Sequence, residues 1–268
     1  MIQPTVCVLN APGINCNEET GFAFELAGAV SEQIHISQLR SGDRDLKESQ
    51  ILALSGGFSH GDDIASGRIL GLELRTQLSD QVNEFVAMGG LVIGICNGFQ
   101  VLVESGLLPH GKTGIEVPKS ASLVHNKDAG FQCRWGRLAV RQSESVFANP
   151  DILGEVIELP SAHGEGQFLR RDDTAYQSLF DAGQVVFQYC DESGESTTDF
   201  PDNPNGSPYG ITGICDETGR ILGMMPHPER FVKPEQYADY HRAKALGETI
   251  TPHGLPLFKA MVNYTKEI

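Results

Sequence analysis

The chain has 268 residues, 40% hydrophobic and 21% charged, an ordinary globular composition that excludes a disordered or fibrous protein. Its 20 Lys and Arg against 35 Asp and Glu leave a net charge of −15, which repels phosphate backbones and anionic bilayers; neither nucleic acid nor a membrane is an expected partner, and only a local basic pocket stays open. No run of ~18 apolar residues is present to span a bilayer.

The opening segment MIQPTVCVLNAPG lacks the basic start of a signal peptide and reads directly as a strand over Thr5–Leu9, ending in a turn at Asn10-Ala11-Pro12-Gly13. Without an export signal the expected location is the cytoplasm. There Cys7, Cys16, Cys96, Cys133, Cys190 and Cys215 are free thiols, and none belongs to a C-x-x-C pair that would suggest zinc or redox chemistry. Asn17–Ala29 follows as a helix, with Phe22, Leu26 and Ala29 near helical spacing and Asn17 as its cap. Gln33–Ile36 and Ile51–Ser55 read as strands, the latter running into Gly56-Gly57. Ile69–Met88 reads as one long helix whose face is Leu70, Leu74, Leu78, Val82, Phe85 and Val86, stopped by Gly89-Gly90. Leu91–Ile95 is a wholly apolar strand, and Gly98–Leu107 a helix.

The second half is richer in strands: Arg137–Arg141, Glu155–Leu159, Gln184–Cys190, Gly210–Cys215 and Ile221–Met225, the last two joined by a hairpin turn at Asp216–Arg220. Asp191–Tyr209 reads as a polar surface loop, and the tail from Val232 as a polar helical patch followed by Leu255–Tyr264. Apolar strands alternating with helices imply a parallel sheet covered on both faces. The expected fold is therefore α/β: an open, mostly parallel sheet sandwiched by helices, with an antiparallel strand extension in the second half. No boundary is strong enough to divide it, so residues 1–268 are read as one domain.

Two segments carry chemistry. In Leu91-Val-Ile-Gly-Ile-Cys96-Asn97-Gly98-Phe99-Gln100 a buried strand meets a small-residue turn and then a helix, the setting of a nucleophile elbow with Cys in place of Ser. The turn presents the thiol at the C-terminal edge of the sheet, where open α/β folds bind ligands, and the helix N-terminus favours thiolate. A thiol nucleophile needs a base and an orienting group. Met225-Pro226-His227-Pro228-Glu229 offers both: Pro228 biases His227 to an extended backbone, in which His227 and Glu229 share a side. Ser161-Ala162-His163-Gly164-Glu165-Gly166 offers a rival His and Glu two residues apart on a Gly-rich loop after a strand, and residue reasoning alone does not choose between them. For an oxyanion hole, the N–H of Asn97 is one donor by elbow geometry, and the loop Gly56-Gly57-Phe58-Ser59-His60-Gly61-Asp62-Asp63 is placed to give a second. Neither a phosphate-binding loop nor a dinucleotide fingerprint is present. Read without chemistry, Cys96 is a buried strand-end thiol, and His227 with Glu229 a surface pair.

Six motifs in order resemble the class I glutamine amidotransferases, and within them the glutaminase subunits of phosphoribosylformylglycinamidine synthases. They are Pro12-Gly13-Ile14-Asn15-Cys16-Asn17, Gly56–Asp62, Gly94–Gln100, Ala162–Gly166, Asn203–Ser207 and Met225–Arg230. Ile14 and His60 stand where Ser and Tyr are usual, and Phe231–Leu257 resembles an extended variant of the family. The resemblance implies a flavodoxin-like fold and a triad of Cys96, His227 and Glu229. It implies oxyanion donors at Gly57 and Asn97, and glutamine contacts at Phe58 and Gln100. It favours His227 over His163, leaves Ala162–Gly166 without a role, and implies no metal. Further implied are hydrolysis of glutamine to glutamate through a thioester and delivery of ammonia to a large synthetase subunit for purine biosynthesis. ATP and magnesium would be held by that partner, and a small third subunit would complete the assembly. Two other readings keep the fold: a Cys-elbow hydrolase or peptidase, and a regulatory subunit that binds glutamine without cleaving it.

Overall fold

Val6, Cys7, Val8 and Leu9 are apolar at consecutive positions, so the strand they form has no solvent face; all four are fully buried in a computed structural model of the chain. The structure describes residues 3–111, 114–115, 119–128 and 130–267. In chain order its first half contains β1 (Thr5–Asn10), α1 (Asn17–Ala27), β2 (Val30–His35), α2 (Ile36–Ser41), β3 (Ile51–Leu54), α3 (Arg68–Gln77), α4 (Ser79–Ala87), β4 (Leu91–Ile95) and α5 (Asn97–Ser105). The second half contains β5 (Ala121–Val124), β6 (Gln132–Val140), α6 (Pro150–Leu153), β7 (Val156–His163), β8 (Gln167–Arg170), α7 (Asp173–Asp181), β9 (Val185–Tyr189), β10 (Ile211–Cys215), β11 (Ile221–Met224), α8 (Tyr240–Leu246) and α9 (Leu255–Glu267).

Nine strands form one sheet in the order β2-β1-β3-β4-β11-β10-β9-β6-β7. The five from β2 to β11 are parallel. Beyond β11 each pairing is antiparallel, as expected for the second half, and helices flank the whole. The switch occurs at the β10–β11 hairpin. There the buried Asp216 carboxylate accepts from the N–H groups of Thr218, Arg220 and Ile221 at 3.0, 3.0 and 2.9 Å and so closes the turn. The chain thus returns to lay β11 parallel beside β4.

Several local expectations are corrected. The expected long helix is two, α3 and α4, because Leu78 leaves helical backbone (φ −124°, ψ 9°) while keeping its side chain in the same buried row. Helix α1 is capped at Cys16, not Asn17, whose side chain donates instead to Gln33 Oε1 at 3.0 Å. Its inner face is Thr20, Ala23 and Phe24, while Phe22 and Leu26 are more than a third exposed. The cause lies at the other end of the chain: Phe258 of α9 meets Phe24 edge-on at 4.9 Å, and this contact sets which face of α1 turns inward. Ser161–His163 end β7 rather than lying on a loop. The antiparallel pair β5–β8, with α2 and α7, had no expectation. The Phe231–Leu257 extension is anchored by Phe231 and Tyr237, which meet Trp135 of β6 at 5.0 and 5.2 Å.

Candidate active site

Strand β4 is buried at every position and runs straight into Cys96, whose backbone sits at φ 52°, ψ −106° before α5 begins. A non-glycine residue at positive φ costs about 1–3 kcal/mol and is retained where the surroundings dictate it. Here they do. The Cys96 N–H continues the sheet by donating to Met224 O of β11 at 2.8 Å, and its carbonyl accepts from Phe99 and Gln100 to start α5. Gly98 is what lets the helix come so close: a Cβ there would stand 1.9 Å from Leu54 O at the end of β3.

The β4–β11 pairing explains how residues so distant in sequence meet. Ile95 is in register with Met224, so the residues after each strand emerge side by side at one sheet edge: Cys96 from one, Met225-Pro226-His227 from the other. The His227 N–H is tied to Pro160 O of β7 at 2.8 Å. Its Nδ1 lies 2.5 Å from Glu229 Oε1, and both side chains are essentially without solvent contact. His227 is extended as expected (φ −103°, ψ 91°), but Pro228–Arg230 form a single 3₁₀ turn, so the pair meets through that turn and not by sharing one side of a strand. Burial alone disfavours the His227 imidazolium; the Glu229 carboxylate, and then the Cys96 thiol, reverse this and hold its pKa well above the ordinary histidine range. Nε2 has no hydrogen-bond partner among the described residues. Cys96 Sγ, only 5% of the residue being exposed, lies 3.6 Å from Ala162 O and opens onto a cavity of about 170 Å³.

His163 also lines this cavity. It is buried, with Nε2 3.4 Å from the Tyr189 hydroxyl, and burial first, then the nearby His227 charge, pulls its pKa down to about 4. Its neighbour Glu165 points elsewhere, accepting from the Ser66 N–H at 3.2 Å.

Gly57 and Asn97 both border Cys96. Gly57 lines the cavity at φ 143°, and a Cβ there would strike Asn15 N at 2.7 Å. Its N–H donates to no partner among the described residues. The Asn97 N–H, as the first of α5, has no intrahelical partner. The Asn97 side chain does something the sequence did not suggest. Its Oδ1 accepts from Ser59 N at 3.2 Å, and its Nδ2 donates to Asp62 Oδ1 at 3.1 Å and Gln100 Oε1 at 2.9 Å, stitching the Gly57 loop to the elbow. Gln100 also lines the cavity, with Nε2 donating to Glu165 O. Phe58, 45% exposed, stands at the mouth stacked on Phe131 at 6.5 Å.

Behind the histidine lies a group that sequence reading passed over. Cys16 Sγ is 3.1 Å from Arg230 Nη2, and it falls within 4.8 Å of ligand atoms of His227 and Glu229. These three could hold a metal ion by spacing alone. His227 and Glu229 are bonded to each other and a guanidinium stands on the sulfur, so an ion there would have to disrupt both contacts.

A match to the CobB/CobQ-like glutamine amidotransferase domain spans residues 3–265. Among curated relatives, the phosphoribosylformylglycinamidine synthase subunit PurQ of Dehalococcoides mccartyi is 40% identical over 97% of both chains. That of Methanococcus maripaludis is 38% identical over 98% of both. Of solved structures, PurLQS from Thermotoga maritima superposes with a TM-score of 0.72 at 29% identity, covering 98% of this chain and 100% of that one. A glutamine amidotransferase from the same organism shares the fold, with a TM-score of 0.56 at 14% identity over the full length of both. Cysteine elbow, bonded histidine–glutamate pair and full-length matches agree: the chain belongs to the CobB/CobQ-like glutamine amidotransferase family.

Proposed function

We propose that residues 1–268 act as one unit, the glutaminase subunit of a phosphoribosylformylglycinamidine synthase. The observation that carries this reading is the β4–β11 register, which brings a cavity-lining thiol and an imidazole already bonded to a buried carboxylate to one sheet edge. Full-length likeness to PurQ subunits supports the pathway and the partner.

In this reading Cys96 Sγ attacks the side-chain amide carbon of glutamine, and the thiol proton passes to His227 Nε2. The amide oxygen gains negative charge and takes the N–H groups of Gly57 and Asn97. Collapse of this intermediate breaks the C–N bond. His227 returns its proton to the departing nitrogen, leaving ammonia and a glutamyl thioester on Cys96. Glu229 stabilises the imidazolium and fixes the tautomer that leaves Nε2 facing the reaction. Water, deprotonated by His227, then attacks the thioester carbon; the C–S bond breaks, His227 returns the proton to the Cys96 sulfur, and glutamate leaves. Phe58 and Gln100 border the bound substrate. Ammonia passes to a large synthetase subunit that holds ATP and magnesium, with a small third subunit in the assembly, and formylglycinamide ribonucleotide becomes formylglycinamidine ribonucleotide. Without the partner, turnover is expected to be low.

The test is mass spectrometry of the chain mixed with its synthetase partner and glutamine. The expected result is a glutamyl adduct on Cys96 and neither adduct nor glutamate release with Cys96→Ala. An adduct on another cysteine, or glutamate release by Cys96→Ala, refutes the reading.

A further inference from the structure

A second cavity, of about 710 Å³, opens between β9, the residues after β6 and the loop Asp191–Tyr209, and it shares no lining residue with the cavity at Cys96. Small-molecule sites measure roughly 300–1,000 Å³. One buried side chain organises this one. Gln188 of β9 is 3% exposed; its Oε1 accepts from Arg141 Nε, and its Nε2 donates to Tyr209 O at 2.6 Å. A glutamine holds the guanidinium without neutralising it. Arg44, Arg137 and Arg171 all reach carboxylates, whereas Arg141 forms no ion pair among the described residues. Its two Nη nitrogens have no hydrogen-bond partner there and are not buried, so they are open to an entering ligand.

The same amide fixes an aromatic residue. Tyr209 sits at φ 58°, a conformation that a non-glycine residue keeps where its surroundings impose it. Here Gln188 holds its carbonyl, Asp173 Oδ1 accepts from its hydroxyl at 3.0 Å, and Tyr176 and Phe180 back the ring at 5.2 and 5.9 Å. The ring nevertheless stays exposed and lines the cavity. Thr197, Thr198 and Asp199 complete the wall, and Asp199 stands there without pairing to Arg141. A fixed, uncompensated cation, an open aromatic face and a carboxylate among hydroxyls match a phosphate, a flat base and a sugar diol. We propose that this cavity binds a nucleoside monophosphate, its phosphate on Arg141, its base stacked on Tyr209 and its ribose hydroxyls donating to Asp199. One guanidinium with a carboxylate in the same wall balances a single phosphate and disfavours a chain of three. The assignment is independent of the glutaminase reading and uses none of its residues.

The experiment is isothermal titration calorimetry of the full chain with AMP, adenosine and ribose phosphate. AMP is expected to bind about ten- to a hundred-fold tighter than either, the range of a base stacked on an aromatic ring and of hydrogen bonds to a charged group. Arg141→Gln should bring AMP down to the affinity of adenosine. Tyr209→Gly, which suits a backbone at positive φ, should bring it down to that of ribose phosphate. Irradiation with an azido-substituted AMP, followed by mass spectrometry of the digest, locates the site in the native chain and depends on no variant; a label within the loop Asp191–Tyr209 is expected. No saturable binding of AMP by the native chain, an AMP affinity unchanged in folded Arg141→Gln, or a label confined to another segment overturns the assignment.

Discussion

Replacing Glu229 by glutamine tests how much of the proposed chemistry depends on one buried contact. Glu229 Oε1 is 2.5 Å from His227 Nδ1, and both side chains are out of solvent. At an effective dielectric of ~20, unit charges at that separation attract by roughly 6–7 kcal/mol. The glutamine oxygen keeps the hydrogen bond and recovers part of this, leaving a net loss of about 3–4 kcal/mol for any state in which the ring is protonated. At 1.36 kcal/mol per tenfold, kcat/KM for glutamine should fall about a hundred- to a thousand-fold. With the carboxylate gone, the largest influence opposing burial is removed and only the neighbouring thiols still favour the protonated ring, so the limb of the pH–rate profile that reports His227 should move to lower pH. Glutamate release by the chain mixed with its synthetase partner, followed across pH, reads both effects. Thermal unfolding shows whether the variant is folded. A folded variant that stays within threefold of the native rate, with its pH limb unmoved, would refute the assignment of Glu229 as the group that sustains the imidazolium.

Two further outcomes follow from packing and burial. Gly98→Ala places a methyl 1.9 Å from a main-chain oxygen that cannot move without disturbing β3; overpacking of this kind costs about 1–3 kcal/mol, so chemical denaturation should show a lower midpoint together with lost activity, and a native-like midpoint would contradict the close approach. His163, with its pKa pulled down to about 4 in the folded protein against ~6.5 unfolded, binds fewer protons folded than unfolded between those limits. Its contribution is present above pH 6.5 and lost as pH falls toward 4, by roughly 3 kcal/mol at 1.36 kcal/mol per unit. Because His227 shifts in the opposite sense, the comparison to make is the difference between native and His163→Gln unfolding free energies across this range; a difference independent of pH would contradict the shift.

The centre of the molecule was legible because its signals are local and uninterrupted. Leu91–Ile95 is apolar at every position, the turn after it carries Gly98, and Ile221–Met224 repeats the pattern ahead of His227-Pro228-Glu229. What escaped reading depends on partners far along the chain. Phe22 and Leu26 have helical spacing, but α1 turns its other side inward because Phe258 arrives from the last helix. Leu78 keeps the apolar period through a break, so periodicity cannot see the break. That His227 follows the strand paired with β4 is a matter of register that no single segment contains. Cys16 and Arg230 are more than two hundred positions apart and meet only because α1 begins beside the turn after His227.

The Cys96 N–H bond to Met224 O has a consequence for how this protein tolerates change. Thiol and ring are yoked through adjoining strands rather than through the long stretch of chain between them. The length of that stretch therefore does not set the reach from sulfur to nitrogen. Separating the two requires opening the sheet between β4 and β11, and hence melting the protein itself.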